Sequence, residues 1–176
     1  MNKYTKLIIG VVCATVMSTS VFAADMLSQA KPVTVNQWVM TLEGAGITET
    51  SGGAETAFGL NIGLGLTGEL LFPVEGGIRQ GLAFSSPEGN KTILTTKLYA
   101  DWTVLQVKKL DVFVGANAGL TYGNTAPIWV AGPEGGLRLW VKEDVAVIGR
   151  IEYPFDLNNN KAFNNLNYVV GFQVKF

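Results

Sequence analysis

The sequence predicts an all-β protein, a closed antiparallel transmembrane β-barrel of about eight strands in up-and-down order. Three observations predict it. The last nine residues alternate, so that Tyr168, Val170, Phe172, Val174 and Phe176 share one face of a strand while Gly171, Gln173 and Lys175 occupy the other. Mean hydropathy is positive at +0.26, yet nothing beyond residue 23 approaches the ~18 uninterrupted apolar residues of a spanning helix. A closed barrel reconciles the two, because it pairs every backbone donor and acceptor within lipid. The connections between alternating runs are also short and long in turn, as in outer-membrane barrels.

From the N-terminus, Lys3 and Lys6, the apolar run Leu7–Met17 and the small residues of Ser18–Ala24 read as a secretory signal peptide. It covers residues 1–23, with cleavage between Ala23 and Ala24. Cys13, the single cysteine, lies inside it, and Val12 before it lacks the small residue of a lipoprotein site. The mature chain is therefore expected to carry no disulfide, thiol chemistry or lipid anchor. Residues 24–36 are read as a short periplasmic segment and 37–176 as the barrel, about the length of one domain. The formal charge of −1 offers no basic footprint for nucleic acid.

Alternating segments of the length a tilted strand needs fall at 37–46, 57–69, 75–85, 93–104, 111–122, 135–142, 146–153 and 167–176. One face carries Trp38, Met40 and Leu42, then Phe58, Leu60, Ile62, Leu64 and Leu66, then Ile78, Gln80, Leu82 and Phe84. The same face continues through Leu94, Thr96, Leu98, Trp102, Val112, Val114, Ala116, Ala118, Leu120, Leu137, Leu139 and Ile151 to the terminal five, without one charged residue. The opposite face holds Glu43, Glu75, Arg79, Lys97, Asp101, Arg138, Lys142, Arg150, Glu152 and Lys175 among many of the 21 glycines.

Alternation alone does not say which face is inside, since a soluble barrel would bury the apolar set. Aromatic residues decide it: Trp38 and Trp102 stand near one end of the apolar face, and Phe58, Phe84, Tyr122, Tyr153 and Tyr168 near the other, as at two membrane interfaces. The glycines agree, for on the charged face they make room for Tyr99, Trp140 and the arginines in a narrow interior, whereas on a wet surface they would only weaken strands. Segments 70–74, 105–110 and 143–145 are the short connections; 47–56, 86–92, 123–134 and 154–166 are the long ones.

Face parity constrains one hairpin. If Arg138, Trp140 and Lys142 point inward with Ala146, Ile148, Arg150 and Glu152, the connection has an odd number of residues, three or five, and Glu152 is expected opposite or diagonal to Arg138. Two boundaries stay open: Thr67–Val74 extends the second strand as far as Phe72, or ends it earlier, and Pro133 leaves Ile128 and Val130 either in the sixth strand or in the loop before it.

No histidine is present, which removes Ser-His and Cys-His catalysis and imidazole ligation. Glu75, Asp101 and Glu152 have basic neighbours and read as structural pairs. The run Gly59–Gly68 alternates with apolar residues and opens no helix, so it is no phosphate loop. No enzyme activity, cofactor or metal is expected.

Arg150-Ile-Glu152-Tyr153, reached from Gly135-Gly136 through Trp140, resembles the sixth and seventh strands of the OmpA-type transmembrane barrel. Phe72-Pro-Val-Glu75-Gly-Gly with Arg79 is similar to that family's third strand, and Thr95-Thr-Lys97-Leu to its fourth. The resemblance implies an interior glutamate that pairs with an arginine or a lysine and so obstructs or relieves a narrow pore; Glu75, Arg150 and Lys97 are the matching positions. The terminal face Tyr168, Val170, Phe172, Val174 and Phe176 resembles the signal read by the barrel-assembly machinery. The resemblance further implies the outer membrane of a Gram-negative bacterium with both termini periplasmic, contact with its lipids and lipopolysaccharide, and periplasmic chaperones during biogenesis. The family's peptidoglycan-binding domain is not expected here.

Two functions remain. One is a structural or surface-interaction barrel acting through extracellular loops toward a host or phage ligand, with Ile128 and Trp129 as the candidate contact unless Trp129 packs on the rim or on lipid. The other is a narrow ion channel gated by the interior salt bridges, since eight strands leave no wide pore.

Overall fold

The computed structural model describes residues 37–49, 56–69, 73–85, 91–122, 127–158, 161–162 and 165–176. The expected signal peptide, its cleavage site at Ala23 and Ala24, and the segment 24–36 lie outside the described residues. Seven long strands come first: β1 (Trp38–Glu49), β2 (Thr56–Glu69), β3 (Pro73–Ser85), β4 (Lys91–Val107), β5 (Leu110–Tyr122), β6 (Ile128–Trp140) and β7 (Val145–Glu152). The short pieces β8 (Phe155–Asp156) and β9 (Lys161–Ala162) precede the last long strand, β10 (Asn165–Lys175).

Each long strand pairs antiparallel with the next, and β10 pairs with both β7 and β1, which closes an eight-stranded barrel. Closure reaches the last residue, for Trp38 and Phe176 exchange backbone hydrogen bonds of 3.1 and 3.0 Å. One end of the barrel carries the connections 70–72, 108–109 and 141–144; it is called the turn end below, and the other the loop end.

The barrel is strongly staggered. Paired residues lead from Ile47 through Asn167, Glu152, Glu134, Gly115, Asp101 and Glu75 to Thr67, whose amide bonds to Gln37, so one circuit returns to the first strand ten positions away. Ten residues of rise over eight strand spacings give a tilt of about 40°. Each step along this line therefore descends about 3 Å toward the turn end.

The two faces separate as alternation requires. Outward positions such as Leu60, Ile62, Leu98, Val170 and Phe172 are more than half exposed, while inward Val39, Glu43, Asp101, Phe113, Ile148, Arg150 and Gln173 are buried. An apolar face exposed over the whole circumference, around a charged core, is the inverse of a soluble barrel. Inward glycines are small for a reason: a Cβ on Gly65 would collide with the Tyr99 hydroxyl, and one on Gly136 would fall 2.7 Å from Phe113 Cζ. Outward Gly149 has nothing within 4 Å of that position.

Several boundaries depart from the sequence reading. β6 begins at Ile128, so Ile128 and Trp129 are strand residues and the expected long loop 123–134 shrinks to residues 123–127. Pro133 is tolerated because its missing donor faces Tyr153 and Pro154, where the neighbouring strand breaks between β7 and β8; its carbonyl still accepts from Tyr153 N at 3.1 Å. β2 ends at Glu69, paired with Pro73 at the start of β3. Val104 is an extra residue in β4, where the register with β5 shifts between Thr103 and Leu105, and the following turn places Lys108 at φ 50°. In the β6–β7 hairpin Trp140 pairs with Ala146, leaving the five residues 141–145 between them, the odd parity expected and the longer of the two lengths.

Candidate functional site

The interior is the site. The charged side chains of its central network stand on inward positions of five strands: Glu43 on β1, Glu75 and Arg79 on β3, Lys97 and Asp101 on β4, Glu134 and Arg138 on β6, and Arg150 and Glu152 on β7. Four of the carboxylates, Glu152, Glu134, Asp101 and Glu75, lie along the single register line described above, interrupted only by Gly115. The tilt turns that line into a descending stair of negative charge. The cations project between its steps.

Toward the loop end, Lys97 Nζ meets Glu152 Oε2 at 2.7 Å, and Arg150 Nε donates to Glu152 Oε1 at 3.0 Å. Arg150 also grips Glu43 bidentately, Nη1 to Oε1 and Nη2 to Oε2, both at 2.9 Å. Its Nε lies 3.6 Å from Glu134 Oε2 and links this group to the next. There Arg79 Nη1 donates to both oxygens of Glu134 at 2.7 and 2.8 Å, its Nη2 donates to Asp101 Oδ2 at 2.9 Å, and Asn117 adds a bond to Glu134 at 2.7 Å. Arg138 Nη2 stands 3.3 Å from both Asp101 Oδ2 and Glu75 Oε2. Gln173 bridges Arg138 Nε at 2.9 Å and Glu75 at 2.7 Å, and the Tyr99 hydroxyl donates to Glu75 at 2.9 Å.

Aromatic rings fill the remaining section, with Arg79 over Tyr99 at 3.5 Å and Arg138 over Phe113 at 4.2 Å. At the turn end the Trp140 indole donates to Asp111 at 2.6 Å and carries Lys175 over its ring at 4.0 Å. The network leaves one cavity of about 30 Å³ between it and Trp140, touched by Glu75, Arg138 and Gln173, and another of about 70 Å³ on the loop side, touched by Arg79, Lys97 and Glu152. Such volumes hold a few waters, not a solute. Among the described residues no group of three or more His, Cys, Asp or Glu is arranged to hold a metal.

Of the ten charged residues on the inward face of the sequence reading, Lys175 lies apart over Trp140 at the turn end, and all but one of the other nine are thus brought together. Lys142 is not: it is exposed in the turn 141–144, because β6 ends at Trp140. Glu152 does not face Arg138 either; it pairs across with Glu134, while Arg138 pairs with Ile148. The resemblance grouped Glu75 with Arg150 and Lys97, but the cation of Glu75 is Arg138, and the glutamate shared by Arg150 and Lys97 is Glu152. Glu134 was missed with the loop that hid it; its even spacing to Gly136 and Arg138 was the available signal. Ile128 and Trp129 lie in β6 and not in a loop: Trp129 pairs with Leu120 and points outward at the rim of the barrel. The terminal face, Tyr168, Val170, Phe172, Val174 and Phe176, runs down the outer side of β10.

No family model matches the chain, and no curated protein matches it. Solved structures share the fold. Neisserial surface protein A (NspA) superposes with a TM-score of 0.63 at 14% identity, covering 83% of this chain and 100% of that one. The N-terminal β-barrel domain of Pseudomonas aeruginosa OprF gives 0.52 at 13% identity, over 80% and 99%. At such identities the likeness is one of fold, that of small eight-stranded outer-membrane barrels.

Proposed function

We propose that this chain is a small outer-membrane barrel with a structural role, non-enzymatic and closed to ions at rest, whose further contacts with host or phage surfaces belong to the loops at its outer end. Short turns at one end and longer connections at the other support placing both termini in the periplasm. The observation that carries the reading is the unbroken bridge Glu43–Arg150–Glu134–Arg79–Asp101–Arg138–Glu75 across the lumen, every member at most 5% exposed. Removing these charges from water is tolerated because nearly every one is held by at least two partners.

Planar-bilayer recording of the refolded protein tests it: silence across salts and voltages is expected, and steady conductance of the unmodified chain would refute closure. The two cavities flanking the bridge favour a second reading, a narrow channel opened when Glu152 exchanges between Lys97 and Arg150. Under it, Lys97→Met or Arg150→Met changes open probability; under the structural reading both remain silent.

A further inference from the structure

Two polar side chains sit on the otherwise apolar outer wall well within the bilayer span: Gln80 on β3 and Thr96 on β4, paired across the strands. Gln80 lies four residues below Phe84, about 10 Å beneath the loop-end aromatic level for strands tilted in this way. Together with Tyr122, whose ring comes from β5, they make a closed ring of hydrogen bonds. The Thr96 hydroxyl donates to Gln80 Oε1 at 2.6 Å. Its single proton being spent, the 2.7 Å contact with Tyr122 is donated by the phenol. Gln80 Nε2 then donates to the phenol oxygen over a long 3.4 Å.

One amide N–H of Gln80 and one lone pair of its carbonyl are left over, with no acceptor or donor among the described residues. Acyl chains at this depth supply neither, and an unmet amide proton in hydrocarbon is costly. An amide is self-complementary, so the group that satisfies both is a second amide in the reverse orientation. The wall beside it is built for close approach. Gly76, Ala100, Ala116 and Pro133 lie in one register line across β3 to β6, with Ala118 beside Ala131 in the next row, whereas the opposite wall, on β1, β10 and β7, carries Leu42, Val170, Phe172 and Val147. Small residues let backbones meet, and buried amides fix the orientation.

We infer that the β3–β5 wall is a homodimer interface within the membrane, in which two copies of this chain meet about a twofold axis through a reciprocal pair of Gln80 amides. The inference rests on the wall facing lipid, which the faster gel migration of the unheated protein reports separately.

The test is sedimentation equilibrium of the full-chain product, purified from membranes in density-matched detergent, with subunit counting after reconstitution into phosphatidylcholine vesicles. The wild type is expected to dimerise. Gln80→Leu should weaken the dimer at least tenfold and Ala118→Trp should abolish it, while Val147→Trp on β7, on the opposite wall, leaves it unchanged, all three still folding as heat-modifiable barrels. A wild type that stays monomeric in both media overturns the inference, as does a Gln80→Leu protein that dimerises as tightly as wild type. A monomer that co-purifies with outer-leaflet glycolipid, lost in Gln80→Leu, also overturns it by naming lipid as the partner of the amide.

Discussion

Arg150 is the residue on which the interior depends most, and Arg150→Met is the most informative single change. Glu43 has no hydrogen-bond partner among the described residues other than Arg150, which holds both of its oxygens at 2.9 Å, and both side chains are 0% exposed. Removing the guanidinium leaves a buried carboxylate with nothing to compensate it and takes one of two cations from Glu152. Breaking a buried pair in this way costs about 3 to 5 kcal/mol. Glu43→Gln is milder, about 1.5 to 3 kcal/mol, because Arg150 keeps Glu152 at 3.0 Å and Glu134 at 3.6 Å. The double variant Glu43→Gln with Arg150→Met should lose less than the sum of the two, since Glu43→Gln removes the charge that Arg150→Met strands. Reversible urea unfolding in phosphatidylcholine vesicles, followed by tryptophan fluorescence, reads all three. A loss below about 1 kcal/mol for Arg150→Met, or strict additivity in the double variant, would show that the pair is not the desolvated contact the geometry describes.

Lipid-face lysines should sort by depth. Leu98, central in β4 and 65% exposed, should cost about 2 to 4 kcal/mol as lysine, and Leu139, one residue from the turn-end terminus of β6, only about 0 to 1; equal costs in the same unfolding assay would contradict a membrane around this barrel. Deleting Phe176, which is 67% exposed on the outer face, should reduce folded protein in the outer membrane far more than Lys175→Gln does, as quantified by the heat-modifiable band in membrane fractions. Equal reductions would make the terminal face ordinary packing.

The period-two signal made the faces legible. Residues such as Leu60, Ile62 and Leu64 could only lie together, and the charged set could only lie opposite, so the interior composition followed once the aromatic ends had fixed which side met lipid. Legibility failed where a local signal outvoted periodicity. Pro133 argued against a strand, and with it went Ile128, Trp129 and Glu134; what permits that proline is a break in a different strand, at Tyr153-Pro154, which local sequence does not couple to it. At the other end of the same strand the alternation ran on through Lys142, and nothing in the pattern showed that the hairpin would take five residues rather than three.

Which charges meet across the lumen depends on a quantity that no short motif contains. Strand neighbours follow from the order of the hairpins, but height in the barrel follows from the stagger summed over all eight strands. The ten-position displacement lowers Glu75 to the level of Arg138, while Glu152, on the same register line four strands earlier, stays level with Lys97. A different stagger with the same eight sequences would pair the same side chains differently. The resemblance therefore identified the right residue types and the wrong partner: a glutamate held by both a lysine and an arginine is present, but it is Glu152, because only that step of the stair lies within reach of both Lys97 and Arg150. Of the cations in this charged network Lys97 is held least, since it has no other ion pair among the described residues and, with 12% of its side chain exposed, is the most accessible of them.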